Sequence, residues 1–74
     1  MDNNNKKKDM IISHERINDL YDTTWRIEQS SAQGLANLYH MIQATLSVES
    51  ETEYIKKLET LKHIVVKEFN KSKY

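Results

Sequence analysis

Two apolar stripes at helical spacing point in different directions along this chain, with no proline anywhere and one glycine, Gly34, to punctuate it. The first stripe runs Ile17, Leu20, Tyr21, Trp25, Ile27, Ala32, Leu35, Leu38, Tyr39, Ile42 and Leu46. At 100° per residue it covers about half a helix circumference. The second, Tyr54, Leu58, Leu61, Val65 and Phe69 flanked by Ile55 and Ile64, is centred about 120° away if one helix is carried through residues 47–50. A single straight helix would hold two half-apolar faces that no one neighbour covers. Folding the chain back brings them together. The sequence therefore predicts an all-α fold, an antiparallel helical hairpin with helices over about 13–46 and about 51–71.

The helix starts are well marked. Ser13 suits an N-cap, Glu15 falls in the first turn, and Ile12 and Ile17 occupy the two positions of a hydrophobic staple. Ser50-Glu51-Thr52-Glu53 reads as a capping box, and Glu53 stands four residues before Lys57 in the favourable order. Gly34 offers an alternative. With Ser30 and Ser31 it can end a helix at the C′ position and divide the chain into a three-helix bundle. Leu35, Leu38 and Ile42 nevertheless keep the phase of Ile17, Leu20 and Ile27, which favours a continuous first helix.

That length difference matters. A helix over 13–46 is ~51 Å long and one over 51–71 only ~33 Å, so the first three turns of the longer helix lack a cover. Ile17, Leu20, Tyr21 and Trp25, with Glu28 at their border, then form an apolar and aromatic face of the kind that meets a partner. A second copy would cover it by pairing two hairpins into a four-helix bundle. The expected function is that of a small non-enzymatic interaction protein, a bacterial or phage regulator, inhibitor or chaperone-like adaptor. Its partners would be itself, as a homodimer, and a further protein.

Composition excludes more than it assigns. There is no cysteine, hence no disulfide and no thiolate metal site. No apolar run approaches the ~18–20 residues of a membrane span, and Met10-Ile11-Ile12 after Lys6, Lys7 and Lys8 is too short for a signal-peptide core. A cytoplasmic location is the expectation. Residues 1–9 form a polar, low-complexity tail, and 10–74 a single helical domain. His14, His40 and His63 show no metal-ligand spacing, and no Ser–His–acid grouping or phosphate-binding glycine loop is present. Neither a catalytic site, a cofactor nor a metal is expected.

The net charge of zero conceals an imbalance. Residues 10–55 hold two arginines against seven acids, and residues 56–74 six lysines against two glutamates. The rival reading is accordingly a nucleic-acid-binding dimer acting through Lys62, Lys67, Lys71 and Lys73. The lysines are spread round the helix, and Glu59 and Glu68 interrupt them, which weighs against it.

Overall fold

The structure, a computed structural model, describes residues 10–72 of the chain and the side chains of residues 10–71. The polar tail, Lys73 and Tyr74 lie outside the described residues. Among the described residues four helices follow in order, α1 (His14–Asp22), α2 (Trp25–Glu28), α3 (Ala32–Val48) and α4 (Thr52–Ser72), and no strand occurs.

The helix expected over 13–46 is divided twice, at Thr23-Thr24 and at residues 29–31. At Thr23 the backbone leaves helical geometry (φ −126°, ψ 48°). Its N–H is shared between the carbonyls of Asp19 and Leu20, while its hydroxyl donates back to Asp19 O at 2.8 Å. Ser30 does the same after α2, donating to Arg26 O at 3.2 Å. Thr45 and Thr60 make the same bond four residues back inside unbroken helices, so these bonds accompany the breaks rather than cause them. Ser31 then takes an extended conformation and caps α3, its Oγ accepting from Gly34 N at 3.2 Å. The alternative break at Gly34 is also corrected. Gly34 lies inside the first turn of α3 with no positive φ, and the chain parts at residues 29–31 instead.

The starts of α1 and α4 lie close to where the sequence puts them. Ser13 Oγ accepts from Arg16 N at 3.2 Å, and Ile12 and Ile17 are both buried. At α4 the cap differs in detail. Glu53 is directed at Lys57, 3.6 Å away, and it is the Glu49 carboxylate that accepts the N–H of Glu51 at 3.2 Å.

The chain reverses across residues 49–51, so α4 returns along α3 and sets Tyr39 and Phe69 on one groove. α1 lies against α4 in the same direction, with Asn18 beside Tyr54 and Lys57, and α2 also packs on α4. Between them Ile12, Ile17, Ile27, Leu35, Ile42, Leu58, Leu61 and Val65 form the core. Burying these side chains stabilises by roughly 1.5–3 kcal/mol each, which makes the core, rather than helix propensity, what holds the helices. Thr45 is buried with them and fully satisfied: its hydroxyl donates to Met41 O at 2.7 Å and accepts Ile12 N at 2.8 Å. No helix among the described residues is long and apolar enough to cross a membrane.

Candidate functional site

The breaks in the first helix redistribute the residues singled out in the sequence. Ile17 is wholly buried and Leu20 is packed against the core, so both are withdrawn from the expected contact face. Each now serves the fold, because dividing the helix lets α4 and the segment around Ile12 cover them. Tyr21, Trp25 and Glu28 are exposed. Trp25 is 56% exposed and stands where α2 turns away from α1, with the Arg26 guanidinium 5.9 Å from its ring centroid. Tyr21 is partly shielded on one side, where the Lys57 ammonium lies 5.4 Å from the ring centroid.

Lys57 belongs to a polar seam between α1 and α4 that the sequence did not reveal. Its Nζ donates to Asn18 Oδ1 at 2.7 Å, and Asn18 Nδ2 reaches Tyr54 OH at 3.5 Å. The Tyr54 ring stacks on His14 at 3.7 Å between centroids and 6° between planes. His14 Nε2 lies 2.9 Å from Glu49 Oε1, and Nδ1 lies 3.9 Å from Glu51 Oε2. Three potential metal ligands thus converge from sequence positions 35 residues apart. Only the fold reveals them, because no helical spacing connects residue 14 with 49.

Their geometry suits an ion pair better than a metal centre. The two ring nitrogens face different carboxylates, and a cation would engage one nitrogen only. Only Nε2 is within hydrogen-bond distance of a carboxylate, that of Glu49; the Nδ1–Glu51 separation of 3.9 Å is a longer electrostatic contact. The Glu49 side chain is only 8% exposed. Burial alone would raise its carboxyl, but the Glu51 N–H, the His14 hydrogen bond and charge, and the Ser50 N–H together hold it below its ordinary value.

An apolar groove opens on the other side of α4, at its seam with α3. Ala36, Tyr39 and His40 from α3 and Val66 and Phe69 from α4 line it above the buried Leu35 and Val65. Its volume is about 310 Å³, near the lower end of the ~300–1,000 Å³ usual for small-molecule sites. Its polar side chains are Tyr39 and His40, whose rings meet edge-on at 5.9 Å between centroids.

The lysines do not converge. Lys62 is partly buried, Lys67 and Lys71 are exposed, and Lys71 Nζ lies 3.4 Å from Glu68 Oε2. On one helix at 100° per residue, Lys62 and Lys67 point about 140° apart, so they present no single phosphate-tracking stripe. No protein-family model, curated protein or solved structure matches this chain.

Proposed function

We propose that this chain is a small non-enzymatic protein-interaction module, of the regulator, inhibitor or adaptor kind, whose contact surface centres on Trp25 with Tyr21 and Glu28 beside it. The exposure of Trp25 carries this reading. A large indole left 56% open just after the break at Thr23-Thr24 is of the residue type enriched at interaction hot spots. What supports a non-enzymatic role is that the His14–Glu49–Glu51 cluster is already spent on holding α1 to the 49–51 connection.

Self-association belongs to the same proposal, but its motive has shifted. The stripe that a four-helix-bundle dimer was expected to cover is largely covered within one chain, so pairing would not act through that stripe. It would act through the aromatic edge instead.

The nucleic-acid reading rests on the excess of lysine after residue 55. Affinity capture from a bacterial lysate separates the two, using the native chain, Trp25→Ala and a double replacement of Lys67 and Lys71 by Gln, each with and without nuclease. The expected result is retention that survives nuclease and moderate salt and is lost in Trp25→Ala. Loss on nuclease treatment, a steep fall with salt or insensitivity to Trp25→Ala overturns the proposal.

A further inference from the structure

We propose that the occupant of the α3–α4 groove is the Trp25 side chain of a second copy of this chain, which makes the contact a head-to-tail one. The inference rests on the interaction reading above and names the partner. Trp25 sits on α2, whereas the groove lies at the seam of α3 and α4, so knob and hole belong to different parts of the surface.

Size, polarity and charge agree. An apolar cavity of ~150 Å³ already holds a benzene ring. The groove's volume of about 310 Å³, open on one side and walled by Ala36, Tyr39, Val66 and Phe69, therefore has room for an indole. An indole also leaves its N–H at the rim, where it stays hydrated or meets His40. Trp25 is flanked in sequence by the exposed acids Asp22 and Glu28 and by one exposed cation, Arg26, which leaves the acids in excess. On the groove side, Lys62 precedes Val66 by one turn and Lys67 follows it directly, with Glu59 a further turn away and Glu68 ion-paired with Lys71. The wider division is the same, since residues 10–55 are strongly acidic and 56–74 basic. Docking the acidic corner of one copy on the basic helix of the next brings opposite signs together. A contact between two different patches generates rings or open chains rather than a simple two-fold pair.

The chain contains one tryptophan, so its fluorescence reports on this residue alone. Sedimentation velocity and emission spectra over a dilution series are to be read together on the whole chain. The expected result is association that grows past the dimer with concentration, is weakened by salt and is accompanied by a blue shift. Trp25→Ala should weaken it about 30-fold or more. Val66→Glu, at an exposed groove position, should weaken it similarly by placing an acid where Asp22 and Glu28 arrive.

The decisive experiment mixes the two variants. Trp25→Ala keeps the groove and Val66→Glu keeps the indole, so the mixture should form a 1:1 pair that grows no further. The emission of Val66→Glu should move to the blue as Trp25→Ala is added. If Val66→Glu loses its helical circular dichroism, Ala36→Phe closes the same groove from the α3 wall. A native chain that stays monomeric, association without a blue shift, or a mixture that does not pair overturns the inference. If the chain is monomeric while Trp25→Ala still loses a nuclease-resistant lysate partner, the groove assignment falls and the interaction reading stands.

Discussion

Thr45 is a polar side chain within the core, held there by two bonds of opposite sense. Its hydroxyl gives a proton to Met41 O and receives one from Ile12 N, so neither the side chain nor the backbone N–H of the buried Ile12 is left unpaired. Valine has the same shape and lacks both bonds. Thr45→Val should therefore cost about 1–3 kcal/mol, chiefly by stranding the Ile12 N–H, whereas Thr45→Ser should retain most of the stability. Urea denaturation midpoints of the three chains test this; a Thr45→Val variant as stable as the native chain would remove the hydroxyl from the account. The sequence hides this residue because it places a polar type beside Ile42 and Leu46, where only apolar residues are counted towards a stripe.

At the scale of elements, the first helix shows what periodicity reads well and what it misses. Apolar spacing identified helices throughout and most of the core, including Ile17, Leu35, Ile42, Leu58, Leu61 and Val65. It missed the breaks because they fall at polar residues, Thr23-Thr24 and Ser30-Ser31, which a count of apolar positions passes over, and a short interruption can leave the phase of the stripe nearly intact. Exposed site residues were half legible for the same reason. Dividing the helix buries Ile17 and leaves Trp25 open, and no property of either residue alone decides that. Gly34 provides the check on the break. A Cβ there would meet only Ser31 Oγ at 3.4 Å and Ser30 Cβ at 3.8 Å, both ordinary contacts, and its φ is not positive. Gly34→Ala should thus raise the thermal midpoint, by up to about 1 kcal/mol of stability. A lowered midpoint would point instead to a helix ending at Gly34 in a left-handed turn.

For the molecule as a whole, the Glu49 carboxylate ties the beginning of the described chain to its middle, through His14 and the N–H of Glu51. Because its folded value lies below the unfolded 4.5, its contribution is present above pH 4.5 and is lost as pH falls through the folded value. Denaturation series from pH 7 to pH 3 should show Glu49→Gln less stable than the native chain near neutrality, with the difference closing below 4.5. A constant difference would mean that Glu49 acts through shape and not through charge. The tie also sets an order of events. The α3–α4 seam closes over the three residues 49–51, whereas the bonds that dock the α1 side reach across 33 residues from Ile12 to Thr45 and 35 from His14 to Glu49. Short loops close at less entropic cost, so α3 and α4 should pair first and α1 and α2 should settle on them last. By the same reasoning they are the first to lift away. Amide hydrogens of residues 14–28 should exchange with deuterated water sooner than those of 38–46 and 57–66, as expected if the Trp25 turn opens while the rest of the molecule stays closed.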